Sequence, residues 1–187
     1  MRKMMALLLA ILLLLCGCSG RNEEFDKAML LRTQLLNANG CRFQAVVTAD
    51  YGDKIYTFSL NCEVDKAGNV SFTVNEPEYI SGIKGQISNN GGKLTFDDVA
   101  LSFALQVDDM LSPVSAPWIF VRSLREGYVR SCGSEGDSVR ITVDDSYQED
   151  ALMLDIWLDG SDCPFQADIY EDNRRILTLQ ITDFVLL

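Results

Sequence analysis

The stretch that decides the fold is Cys41-Arg42-Phe43-Gln44-Ala45-Val46-Val47-Thr48-Ala49-Asp50-Tyr51-Gly52-Asp53-Lys54-Ile55-Tyr56-Thr57-Phe58-Ser59-Leu60-Asn61-Cys62. Cys41, Phe43, Ala45, Val47 and Ala49 alternate with more polar neighbours, and so do Tyr56, Phe58, Leu60 and Cys62. A period of two belongs to a strand with one face buried. The Gly between two acids marks a turn. With Tyr51-Gly52 as a two-residue loop, Val47 faces Tyr56, Ala45 faces Phe58 and Phe43 faces Leu60. Cys41 then faces Cys62 at a non-hydrogen-bonded site, where Cα atoms stand about 4.5 Å apart. That separation is at the short end of what a disulfide accepts.

The same period continues outward. Val70, Phe72 and Val74 alternate up to Pro77, and short strands follow through Ser88, Phe96 and Leu105. In the second half the expected strands are 139–143, 151–158, 163–170 and 175–183. Leu154, Ile156, Phe165, Leu179 and Ile181 lie on their apolar side. Two helices interrupt this pattern. Asn22 is positioned to cap the first, with Glu23, Glu24 and Asp26 favourably placed in its opening turn. Its apolar residues Phe25, Ala28, Met29, Leu31, Leu35 and Leu36 fall within roughly 160° of a helical wheel. The second helix covers 118–125, carries Trp118, and stops at Gly127. An antiparallel sheet with one apolar face must cover that face. The expected fold is therefore α+β: a strongly curved antiparallel sheet with helices on its concave side, forming one domain over 23–187.

The chain begins Met1-Arg2-Lys3 and continues through an apolar run, Ala6 to Leu15, into Leu15-Cys16-Gly17-Cys18-Ser19. A basic start, a short apolar run and a small-residue exit form a secretory signal. The run is shorter than the roughly 20 residues a spanning helix needs. The exit resembles a bacterial lipobox with Cys18 as the lipidated residue. Residues 1–17 are then the signal peptide and 18–22 a lipidated tether to the extracytoplasmic face of a cell membrane. Two acyl chains on one cysteine hold a protein stably.

The whole chain has a formal net charge of −11. Loss of Arg2 and Lys3 with the signal leaves 14 basic against 27 acidic residues, a net charge of −13. Such a surface disfavours nucleic acid. Histidine is absent, which removes the commonest general base and metal ligand. No G-x-S-x-G, P-loop or H-E-x-x-H occurs, so neither catalytic residues nor a cofactor nor a metal site is expected, and an enzyme is not. Cys41, Cys62, Cys132 and Cys163 form an even set in an exported chain, which suggests two disulfides. The register pairs Cys41 with Cys62 and leaves Cys132 with Cys163; free thiols are the alternative.

The order helix, meandering strands, mid-chain helix and further strands resembles the LolA/LolB-like lipoprotein-carrier superfamily over roughly 22–187. The stretches Asn75-Glu76-Pro77-Glu78-Tyr79-Ile80-Ser81-Gly82-Ile83-Lys84-Gly85 and Gly91-Gly92-Lys93-Leu94-Thr95-Phe96 look like that family's proline–apolar–glycine segment and short hairpin. The resemblance implies an incomplete β-barrel whose hydrophobic cavity binds acyl chains. It points to an envelope lipoprotein that binds a lipid or acyl group, with a role in lipid or lipoprotein trafficking. The candidate cavity residues are Phe43, Val47, Tyr56, Phe58, Leu60, Phe72, Val74 and Trp118. The alternative is an anchored adaptor that holds no ligand and binds another envelope protein.

The lipobox generates the first test. Cys18→Ser should abolish acylation and move the protein from the detergent phase to the aqueous phase in phase partitioning. Wild-type partitioning of the variant would refute an anchor at Cys18.

Overall fold

The computed structural model describes residues 22–96, 99–103, 106–107 and 110–187. The signal segment and Cys18 lie outside the described residues.

Helix α1 spans Glu23–Asn37, and the Asn22 side chain accepts a hydrogen bond from the Phe25 amide at 3.0 Å. Its opening acids face the positive end of the helix dipole. The strands then follow as β1 (Gly40–Asp50), β2 (Ile55–Asp65), β3 (Val70–Glu76), β4 (Lys84–Ser88), β5 (Gly91–Phe96) and β6 (Val99–Phe103). The two-residue strands β7 (Gln106–Val107) and β8 (Met110–Leu111) pair with each other and lead into helix α2 (Ala116–Glu126). The return run is β9 (Tyr128–Glu135), β10 (Ser138–Asp144), β11 (Met153–Leu158), β12 (Pro164–Glu171) and β13 (Arg174–Leu186).

Eleven strands form one antiparallel sheet in the order β6-β5-β4-β3-β2-β1-β13-β12-β11-β10-β9. The sheet is curved and does not close into a barrel. The chain starts mid-sheet, steps outward to the β6 edge, reappears at the β9 edge and steps back until β13 pairs with β1. To pass from one edge to the other it crosses the apolar face. Helix α2 is part of that crossing, and Ala116, Pro117, Trp118, Ile119, Phe120, Val121, Ser123 and Leu124 are all buried in it.

The β1–β2 hairpin corrects the expected register. Tyr51 to Lys54 form a four-residue loop closed by Tyr51 N–H to Lys54 C=O at 3.0 Å. Every pairing is therefore offset by two: Val47 faces Phe58, Ala45 faces Leu60, Phe43 faces Cys62, and Cys41 faces Val64. An offset of two keeps each side chain on its face and changes only its partner. In the β11–β12 hairpin a turn at 159–162 predicts Leu154 opposite Ala167 and Ile156 opposite Phe165, and the structure again shifts the pairing by two, with Leu154 opposite Ile169 and Ile156 opposite Ala167. The β12–β13 register is the one a loop at 172–174 predicts, with Ala167 opposite Leu179 and Ile169 opposite Leu177. Strand β9 was not expected at all.

On the buried face of β1, Phe43 meets Phe120 of α2 edge-on with centroids 5.8 Å apart. On β4, Gly85 leaves room for a ring: a Cβ there would fall 2.1 Å from Phe72 Cζ.

The two helices cap each other. Arg32 on α1 donates from Nε to Leu124 C=O at 2.6 Å and from Nη2 to Gly127 C=O at 2.7 Å and Ser123 C=O at 3.3 Å. These carbonyls lie at the α2 C-terminus, where intrahelical partners run out. In return, Arg125 on α2 donates to Leu35 C=O at 3.4 Å and to Lys66 C=O at 3.1 Å. Desolvation by burial lowers the pKa of Arg32 from its usual value.

Arg32→Met keeps most of the stem and removes every donor. It should cost about 2–4 kcal/mol in urea denaturation, with Arg32→Lys losing less. A loss below about 0.5 kcal/mol, the range of ordinary surface changes, would contradict this capping role.

Candidate functional site

The candidate cavity residues are mostly packed. Val47 and Leu60 expose 0% of their surface, Phe43 and Phe72 3%, Val74 2% and Trp118 6%. These buried residues belong to one hydrophobic core that also includes Phe120 of α2, and Phe43 and Phe72 border a recess along β1–β5 as well. Phe58 is half-buried against that core, and Tyr56 is 42% exposed at the end of the sheet beside Tyr51. The Arg122 guanidinium lies 5.1 Å from the centre of the Trp118 ring, a cation–π contact.

Recesses open instead at the margins of the core. One, of about 380 Å³, runs between α1 and the end of β13. Its apolar lining is Leu30, Leu31, Phe184, Val185 and Leu186. Lys27 and Asp162 join across its rim in an ion pair of 3.0 Å. The groove has a local origin. The pairing of β12 with β13 begins at Gln166–Gln180, so the last residues of β13 carry a strand neighbour only on the β1 side. The turn Asp159–Asp162 and helix α1 border the remaining space. Phe184 points into the protein and stacks on Phe43 with centroids 5.9 Å apart.

A larger recess, a trough of about 950 Å³, lies on the opposite face of β1–β5. Two cross-strand rungs pave it. One runs Val185, Arg42, Glu63, Ser71, Gln86, Lys93; the other runs Gln44, Asn61, Thr73, Lys84, Thr95. Asp183 stands at its border with φ 53°, an uncommon backbone conformation for a residue other than glycine.

Neither recess was singled out in the sequence. The trough residues are the polar half of an alternation and resemble any solvated face. The groove did leave signals. Leu30 lies outside the apolar arc of α1 and is 53% exposed, and Phe184-Val185-Leu186-Leu187 breaks the alternation with a continuous apolar end.

Among the described residues Cys41, Cys62, Cys132 and Cys163 are free thiols. Cys41 and Cys62 are diagonal neighbours on β1 and β2 instead of facing each other. Burial pushes the Cys41 thiol up to about 12, and the Cys62 thiol is raised by burial and then by Cys41 beside it. Cys132 on β9 and Cys163 at the start of β12 are separated by β10 and β11. Three strand spacings correspond to roughly 14 Å along the sheet, beyond the reach of a disulfide. Both thiols are raised by burial, with Glu24 adding to the effect at Cys132 and Asp159 and Asp162 at Cys163. Among the described residues no group of His, Cys, Asp and Glu is arranged to hold a metal ion.

The strand order and the helix-covered face define the class: an α+β protein built on a curved, open antiparallel sheet. No protein-family model matches the chain, and no curated protein matches it in sequence. Solved structures similar to it include a LolA superfamily protein from Nitrosomonas europaea, with 10% identity, a TM-score of 0.47, and coverage of 86% of this chain and 93% of that one. A putative outer membrane lipoprotein-sorting protein domain from Vibrio parahaemolyticus is 8% identical, with a TM-score of 0.45 and coverage of 88% and 92%. Lipoprotein LppX from Mycobacterium tuberculosis is 11% identical, with a TM-score of 0.42 and coverage of 87% and 93%.

Thiol accessibility tests the packing. Without reductant, Cys132 and Cys163 should be alkylated in the native protein, and Cys41 and Cys62 only after unfolding. A mapped Cys132–Cys163 bridge would contradict the strand order.

Proposed function

We propose that the protein is an envelope lipoprotein, lipidated at Cys18 and held on the extracytoplasmic face of a membrane, that binds a lipid or acyl group in the groove between α1 and the end of β13. The observation that carries this is an apolar lining left open to water: Leu30 is 53% and Val185 42% exposed within a groove of about 380 Å³. Water against apolar walls of that size is displaced favourably by an apolar chain. The acyl ligand implied by the family resemblance is retained, and its site moves from the filled face of the sheet to the edge of α1.

Position relative to the anchor supports the same assignment. Asn22 is four residues from Cys18, a span of at most roughly 14 Å. Leu30 lies eight helical residues further on, about 12 Å. A chain leaving or entering a bilayer therefore has the groove close at hand. The role is one of binding and handing over, with no chemistry on the ligand, which suits lipid or lipoprotein trafficking.

A soluble Cys18→Ser form should bind a fluorescent fatty acid. Leu30→Glu should weaken that binding by tenfold or more while shifting Tm by only a few degrees, because Leu30 is mostly exposed. Phe72→Ala should instead destabilise by about 3–5 kcal/mol. If the wild-type protein takes up no fatty acid, the adaptor reading replaces this one. Undiminished binding by Leu30→Glu would remove the groove as the site.

A further inference from the structure

We infer that the ligand is an anionic amphiphile whose head group lies in the polar trough, an assignment that rests on the acyl groove proposed above. The two recesses meet at one residue: Val185 borders both. Its direct partner across the β1–β13 ladder is Arg42, on the floor of the trough. A chain lying in the groove would thus bring its head group out beside a guanidinium, the side chain best suited to phosphate and carboxylate.

The charge pattern selects the sign of that head group. The protein is strongly acidic, at −11 overall, yet the trough holds Arg42, Lys84 and Lys93 against Glu63 and Asp183. Elsewhere Arg32, Arg125, Arg130, Arg140, Arg174 and Arg175 are committed to protein carbonyls or carboxylates. Among the described residues no ion pair and no side-chain hydrogen bond engages the charged groups of Arg42, Lys84 and Lys93, so these charges remain available to a ligand. An anion entering here also escapes the repulsion it would meet over the rest of the surface.

The spacing gives the size of the head group. Lys84 and Lys93 are diagonal neighbours on β4 and β5. They stand three and four strands from Arg42, roughly 14–19 Å across the sheet. A lone phosphate engages only Arg42. Reaching the lysines takes a larger head group with hydroxyls or a second anion. The floor between them supplies matching groups: Asn61, Ser71, Thr73 and Gln86 donate and accept, and Glu63 and Asp183 accept from hydroxyls.

The test uses the soluble Cys18→Ser protein with short-chain phosphatidylglycerol and phosphatidylcholine of identical acyl length, alongside a fluorescent fatty alcohol that carries no charge. Phosphatidylglycerol should bind about tenfold more tightly than phosphatidylcholine, with the preference shrinking as salt rises. In an Arg42→Gln/Lys84→Gln/Lys93→Gln variant the ratio should fall to about one, with Tm showing that the protein is folded. If the alcohol and both lipids bind but wild type shows no anion preference, the head-group assignment is overturned and the acyl groove stands. A preference that survives in the triple variant overturns it equally. If neither the alcohol nor either lipid binds, the groove itself is refuted and the head-group assignment goes with it.

Discussion

Everything in this molecule depends on covering one apolar sheet face with a segment the chain must in any case send across it. The strands step outward to the β6 edge and resume at the β9 edge. The crossing segment is thus obliged to lie on a face of the sheet, and only one face is apolar. A crossing helix has carbonyls at its end that no longer find partners within the helix, and burial makes that shortage costly. Arg32 resolves it by reaching from α1 to the Leu124 and Gly127 carbonyls at the end of α2, and Arg125 reaches Leu35 C=O on α1 in return. The last turn of α1 contains no basic residue of its own, so each helix relies on the other. Docking α2 on the sheet and α1 on α2 therefore become one event instead of two.

That solution has a consequence for binding. A crossing helix buried along nearly its whole length leaves no hollow beneath it. Phe120 is fully buried against Phe43, and Gly85 yields its side-chain space to Phe72. Interiors packed to this degree resist both removal and insertion of volume. A ligand is better accommodated where the layers end, and the two recesses lie there: one beside α1 where β12 gives out, the other on the face the helices do not touch. The residues that best announce a hydrophobic protein in the sequence are the ones least available to a ligand.

Periodicity made most of the fold legible. The alternations at 41–49, 56–62 and 70–74 identified β1, β2 and β3 and their buried sides, and Asn22 with the acids after it identified the start of α1. Partner assignments were less secure, because moving a strand by two residues preserves every facing. The true β1–β2 loop includes Asp53 and Lys54, which a two-residue turn at Tyr51-Gly52 would have kept in the ladder. That small difference separated Cys41 from Cys62. Strand β9 escaped because Tyr128-Val129-Arg130-Ser131-Cys132-Gly133-Ser134-Glu135 is an edge strand with little apolar surface to bury. The trough was invisible for a related reason. Arg42, Lys84 and Lys93 are far apart in sequence, and only the register of five strands sets them in one floor.

The two recesses owe their junction to a single extra residue. Between Arg42–Val185 and Gln44–Thr182, β1 contributes only Phe43 while β13 contributes both Asp183 and Phe184. This is a β-bulge, and the φ of 53° at Asp183 is its conformational signature. Before the bulge, Leu177, Leu179 and Ile181 face the core. Without it, Asp183 and Val185 would follow them inward by simple alternation, placing a carboxylate against Phe43. The extra residue reverses the facing. Phe184 turns in to stack on Phe43, and Asp183 and Val185 turn out to border the trough. Asp is one of the few side chains that tolerates this backbone conformation without being glycine, so the residue that would be most costly inside is also one suited to making the turn outward. The bulge thus completes the core, opens Val185 to both recesses and places it opposite Arg42.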